Sequence, residues 1–307
     1  MKILTRSIFL VGCVSFFAIV PKTYAQGEVR PLGAWLFDEG LGKLNRVAKG
    51  TLKDNSGNGF DGEIVGSPKW RWGKFGAAMQ FGLDPDDNEG TGWSYIKVPY
   101  HKDLDLSEFT FTAWIKVAAA LEPLQMIINR EVNPDLRNYA LWIRTPADGQ
   151  LGGQGDSGHF ACAIGSTFPA VKHIGVKKTR PVTDNKWHFI ACSFDGITMT
   201  AYIDGKKEAA EENKVDQGLR PRANKPKGAP LLIGARALHG WEGNQRPFKK
   251  GVEGISGLVD EVALFNTGLT AEEIKGIMEM GLAGKYEFLA VNRVGKLATT
   301  WASLKAK

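Results

Sequence analysis

The sequence predicts an all-β sandwich or barrel, on three observations. Short runs alternate apolar and polar residues, Gly, Pro, Asn or Asp closes each run, and no amphipathic helix separates one run from the next. The clearest runs are Phe109-Thr110-Phe111-Thr112-Ala113-Trp114-Ile115-Lys116-Val117, Tyr139-Ala140-Leu141-Trp142-Ile143-Arg144 and Met199-Thr200-Ala201-Tyr202-Ile203-Asp204. All are rich in the β-branched and aromatic residues that suit a pleated surface. About a dozen such runs lie between Leu32 and Asn266, too closely spaced for a βαβ architecture. A chain of 307 residues with 43% hydrophobic content can bury a core without staples, and its 37 glycines and 14 prolines supply the turns.

In chain order, residues 1–25 read as a secretory signal peptide. Lys2 and Arg6 form the positive start, residues 8–20 the apolar stretch, and Thr23-Tyr24-Ala25 a small-residue cleavage site before Gln26. The stretch is shorter than the roughly 20 residues that span a bilayer. Leu10-Val11-Gly12-Cys13 offers an alternative, a lipid anchor on Cys13; the apolar run continuing past that cysteine favours cleavage after Ala25. The mature chain is expected to be secreted or periplasmic.

Residues 26–286 form the expected globular domain. Asp195-Gly196 and Asp204-Gly205 are hairpin turns. One helix is predicted near the end of the domain: Thr270 caps it, Glu273 completes a capping box, Ile274, Ile277 and Met278 recur at helical spacing, and Gly281 stops it. Residues 219–228 form a basic, proline-punctuated loop, read as a solvated insertion or a patch for an anionic polysaccharide. Residues 287–307 lose strand periodicity and read as a tail.

The 39 basic and 33 acidic residues give a net charge of +6, and three of the basic ones lie in the leader. That excess is too mild to imply nucleic acid as a partner. Once Cys13 leaves with the leader, Cys162 and Cys192 remain, each within an apolar strand-like run. They are either buried thiols or a cross-strand disulfide, and sequence leaves both open.

Five blocks resemble, in order, the laminin-G-like jelly-roll domains of the concanavalin A-like lectin/glucanase superfamily. They are Gly33-Ala34-Trp35-Leu36-Phe37-Asp38-Glu39-Gly40; residues 54–62; residues 109–117; Lys186-Trp187-His188-Phe189-Ile190-Ala191 with the two hairpins after it; and residues 256–266 running into Leu269-Thr270-Ala271-Glu272-Glu273-Ile274. The resemblance implies two packed antiparallel sheets, a jelly-roll sandwich, with one short C-terminal helix. It also implies a structural calcium near the first and last strands.

The residues point to the same ion. The loop 54–62 holds Asp54, Asn55, Ser56, Asn58 and Asp61 among glycines, the oxygen-rich composition a hard cation takes. An Asx-turn loop satisfying its own backbone uses the same residue types. Adjacent acids in a strand, Asp260 and Glu261, point to opposite faces, so one must be sheltered. Asp38, Asp54 and Asp260 are therefore the expected calcium ligands.

Gly155-Asp156-Ser157-Gly158 matches the nucleophile tetrapeptide of serine proteases, but none of the five histidines sits in a partner motif. The two-apart acids that glycosidases of this fold place on one strand have no counterpart here. Trp35, Trp114, Trp142 and Trp187 read as core; Trp93 and Trp241 stand in loops, where an indole face can stack on a sugar ring. The expected function is a secreted, non-catalytic binding module for a glycan or cell-surface glycoconjugate. A glycan-degrading enzyme and a protein-binding adhesive module are the alternatives.

Overall fold

A computed structural model describes residues 28–83, 93–119, 124–131, 137–144, 158–165, 173–176, 179–212, 228–236 and 254–288. Within them, alternation folds as expected into two antiparallel eight-stranded sheets. Sheet 1 runs, in space, β14 (Lys206–Glu212), β13 (Thr198–Ile203), β12 (Trp187–Phe194), β7 (Phe109–Val117), β16 (Gly257–Phe265), β5 (Ala77–Phe81) and β4 (Lys69–Trp72), with β1 (Gly33–Trp35) beside β16. Sheet 2 runs β11 (His173–Val176), β10 (Phe160–Gly165), β9 (Arg137–Ile143), β8 (Gln125–Glu131), β15 (Leu231–Ile233), β6 (Tyr95–Val98), β3 (Gly62–Val65) and β2 (Gly50–Leu52).

The inner faces supply one large core. On β7 the odd positions Phe109, Phe111, Ala113, Ile115 and Val117 all enter it, as a period of two requires. Phe111 meets Tyr139 of the opposite sheet at 4.8 Å between ring centroids. Trp35 lies in the same core and donates its indole N–H to the Phe60 carbonyl at 2.9 Å. Cys162 of β10 and Cys192 of β12 are bonded to each other, with Cα atoms 6.6 Å apart. The bridge joins the two sheets through the core; it is not a rung between neighbouring strands.

The Asp204-Gly205 turn places both residues at positive φ, 50° and 74°, the backbone that a two-residue hairpin demands. At the other turn the Asp195 carboxylate accepts the amides of Ile197 and Thr198 at 2.9 and 2.7 Å.

Helix α1 (Ala271–Tyr286) packs on the outer face of sheet 1, with Ile274, Ile277, Leu282 and Tyr286 against Ala34, Phe189, Ala263 and Phe265. Its capping box is present: the Thr270 hydroxyl accepts the Glu273 amide and the Glu273 carboxylate accepts the Thr270 amide. Gly281 stops the first helical run as expected, at φ 67° and ψ 165°, and after this kink a second short run continues to Tyr286. No helix among the described residues is long and apolar enough to cross a membrane.

One detail of sheet 1 positions the acids. Along one edge, β16 pairs with β5 through Gly257, Leu258 and Val259, then with β1 through Val262, Ala263 and Leu264. Asp260 and Glu261 fall in the gap between these partners, where the pairing with β7 also shifts register and Glu261 adopts φ 51°. The bulge frees both side chains from the pleat.

Candidate functional site

Two places gather chemically capable groups, and the first is that gap. The turn between β4 and β5 enters it, and the amides of Lys74 and Phe75 donate to Asp260 Oδ2 at 2.8 and 3.0 Å. Asp38 reaches the same turn and accepts the Ala77 amide at 3.4 Å. Gly73 and Gly76 are required here: a Cβ at either would strike the carboxylate of Asp260 or of Asp38, and Gly76 holds φ 70°. Asp260 Oδ1 is buried without a hydrogen-bond partner. Burial pushes the Asp260 carboxyl well above its usual range; the Phe75 and Lys74 amides pull it back and the charge of Asp38 raises it again.

Glu261 turns the other way and accepts the Leu282 amide just past the kink in α1. Burial raises its carboxyl as well, reinforced by Asp260. Adjacent acids thus serve opposite sides, one toward the turn and one toward the helix.

Asp54 is not brought to Asp38 and Asp260. Its two oxygens accept the Ala34, Ser56 and Phe60 amides, each at 2.9 Å, and the Ser56 hydroxyl at 2.7 Å. Asp61 in turn accepts the Asp54 amide at 2.8 Å. The loop is the self-satisfying Asx arrangement, pinned to β1 through Ala34.

The second place is the outer face of sheet 2. Directly opposed residues share a face, and the register sets Leu232, Asn129, Ala140 and Ala163 in one row across β15, β8, β9 and β10. Beside the row stand two apolar clusters. One is Val65, Trp93, Tyr95, Leu232 and Ala235; the other is Met126, Ala140, Trp142, Ala161 and Ala163. Asn129 lies between them, wholly buried, and neither its amide nitrogen nor its oxygen has a hydrogen-bond partner. Sequence reasoning passed over it, although an amide followed by a guanidinium in Met126-Ile127-Ile128-Asn129-Arg130 is a visible break in an apolar strand.

Trp93 is corrected by this arrangement. It is 3% exposed, with its ring against Gly254, so it forms part of a packed cluster and is not a loop platform. Trp241, the basic loop 219–227 and Gly155-Asp156-Ser157 lie outside the described residues, as do residues 1–27. Trp35, Trp114 and Trp142 are buried and Trp187 half-buried, whereas Trp72, on edge strand β4, is 69% exposed.

A sequence profile described as concanavalin A-like lectin/glucanases superfamily, of laminin G type, matches residues 90–275. No curated protein matches the sequence significantly. Among solved structures, domain 4 of AbnA, a GH43 extracellular arabinanase from Geobacillus stearothermophilus in complex with arabinotriose, superposes with a TM-score of 0.50 at 19% identity, over 82% of this chain and 100% of that one. The binding domain of botulinum neurotoxin DC in complex with rat synaptotagmin II gives 0.51 at 14% identity, over 81% of this chain and 51% of that one. At these identities the likeness is one of fold.

Proposed function

The chain belongs to the concanavalin A-like lectin/glucanase superfamily, and from that membership we propose that it is a secreted, non-catalytic module that binds a glycan on the outer face of sheet 2. The observation that carries this reading is the amide of Asn129. A buried amide with no partner costs about 1–3 kcal/mol, and a leucine of similar size would remove that cost. A sugar hydroxyl both donates and accepts, so one hydroxyl or two neighbouring ones would satisfy both ends of the side chain. The inter-sheet disulfide supports an oxidising compartment. The solved relatives support a binding role, since one holds arabinotriose and another synaptotagmin II.

Asn129→Leu tests the reading in both directions. It should raise the unfolding free energy by about 1–3 kcal/mol and abolish retention on a glycan array. A variant that is stabilised yet binds as the parent would place the ligand elsewhere. An array on which the parent is retained by no glycan would end the glycan reading.

We further propose a structural calcium at the gap in sheet 1. Asp38 and Asp260 would hold it with backbone carbonyls of the 73–77 turn, toward the six to eight oxygens calcium takes. The partnerless Asp260 Oδ1 supports this; Asp54, saturated by four donors, is left out of the set. When bound, the ion would offset two carboxylates that burial and mutual repulsion oppose. Stability should rise with free calcium, by about 2.7 kcal/mol at a hundredfold excess over its dissociation constant. Melting with chelator against melting with calcium measures this. Asp260→Asn should erase the response, whereas Asp54→Asn should loosen its loop and leave the response in place. A melting temperature indifferent to calcium would remove the site.

A further inference from the structure

We propose that the part of the outer face of sheet 1 lying beyond Trp114 is a docking surface for an extended anionic polysaccharide. Register makes the surface continuous. Lys69 of β4 opposes Gln80 of β5, Gln80 opposes Leu258 of β16, Leu258 opposes Lys116 of β7, and Lys116 opposes Trp187 of β12. Opposed side chains share a face, and Trp187 packs against the cluster that includes Trp114 and Phe189, which fixes the face as the outer one. Lys69 and Gln80 are exposed; Leu258, Lys116 and Trp187 are half-buried. Strands stand about 4.8 Å apart, so the row runs about 19 Å and its two lysines are about 14 Å from each other.

The charge on this row has one sign. The five strands contribute Lys69, Arg71 and Lys116, and their acids are Asp260 and Glu261, both buried. Arg71 stands one row over, opposite Ala78. Lys74, on the turn that enters the gap, holds its ammonium 4.4 Å from the centre of the Trp114 ring. Helix α1 and Phe75 are packed with Trp114 and Phe189 in the adjoining rows, so the cationic row borders covered surface.

This spacing selects the partner. The backbones that carry the two lysines stand about 14 Å apart, a spacing that a polymer bearing a carboxylate or sulfate at intervals can bridge. Between the cations lie an amide and an aliphatic side chain, and a half-buried indole follows Lys116 at the end of the row; these suit hydroxyls and the apolar faces of sugar rings. The backbone carrying them is a hydrogen-bonded sheet, so the ligand would meet a row already in place. The polymer class rests on the glycan reading above; the sign of its charge and its location come from the row itself.

The test uses the mature full chain with polygalacturonate as the carboxylated probe, dextran sulfate as the sulfated one, and a neutral polysaccharide beside them. The parent should bind at least one polyanion, and the affinity should fall as salt rises, because exposed charges are screened over about 10 Å at 0.1 M. Lys69→Glu with Lys116→Glu should lose about tenfold or more, since each reversal replaces an attraction with a repulsion. Lys275→Glu, an exposed change on α1, should bind as the parent. Unchanged melting temperatures would show that the variants fold. Asn129→Leu separates the two readings: it should leave polyanion binding intact while removing any binding of the neutral chain. A parent that ignores both polyanions, or a double variant that binds them undiminished, would overturn the proposal. Equal binding of poly-glutamate and of both polyanions would overturn the polysaccharide assignment.

Discussion

Replacing Asp105 by alanine is expected to lower the stability of the fold by about 3–5 kcal/mol, because it strips a buried cation of its counter-charge. Arg130, on the inner side of β8, is fully buried beside Tyr139. Its guanidinium donates to Asp105 Oδ1 at 2.5 Å and to Asn138 Oδ1 at 3.1 Å, and its Nε has no partner. The same cluster anchors the segment before β7. Asn138 exchanges hydrogen bonds with the Leu106 main chain, and the Tyr139 hydroxyl donates to the Leu104 carbonyl. Without Asp105, a guanidinium already short of one partner would keep a single side-chain acceptor. Urea unfolding measures the loss. Asp103→Ala, at an exposed pair with His101, should change stability by less than about 1 kcal/mol. Arg130→Met in the Asp105→Ala background should recover part of the deficit, since a pair can be replaced by apolar groups more cheaply than it can be halved. A loss below about 1 kcal/mol for Asp105→Ala would mean that water or another residue takes over the carboxylate's place.

Reducing the Cys162–Cys192 bridge is expected to cost about 3–4 kcal/mol. The two cysteines are separated by 30 residues, and closing a loop of that size in the unfolded chain accounts for a loss of this order. Reduction is a cleaner measurement than substitution, because both side chains are wholly buried and alanine would add a cavity to the lost crosslink. Urea midpoints with and without reductant give the difference. Thiol titration of the unfolded, unreduced chain should find both of these cysteines unreactive. Two reactive thiols would refute the bridge, and matching midpoints would refute its contribution.

Much of the fold was legible because a period of two is written directly into runs such as residues 109–117. The turns and the capping box were legible for a related reason: Asp-Gly and Thr-x-x-Glu act through neighbours in sequence. Sheet membership was not, since alternation says which residues share a face but not which sheet carries them. Cys162 and Cys192 therefore read as neighbours on strands when they stand on opposite sheets. Trp93 misled for a second reason. The outer face of sheet 2 is buried as well as the inner, so loop position carried no information about exposure there. Asp54 and Asp260 show the limit at the site. A carboxylate capping a loop and one awaiting a cation have the same identity in sequence, and only their donors distinguish them.

The position of β16 sets the order in which the molecule can be completed. This strand, the last in the described chain, lies at the centre of sheet 1, with β7 along one edge and β5 and β1 along the other. Until residues 257–265 have been synthesised, three earlier strands lack the partner that holds them together. The nascent chain thus cannot bury its core stepwise, and its contacts are weighted toward long sequence separations, which slows folding. On the secreted reading proposed above, that delay is useful: a chain that cannot close before its final strand arrives stays threadable while it crosses a membrane, and commits to its shape only on the far side.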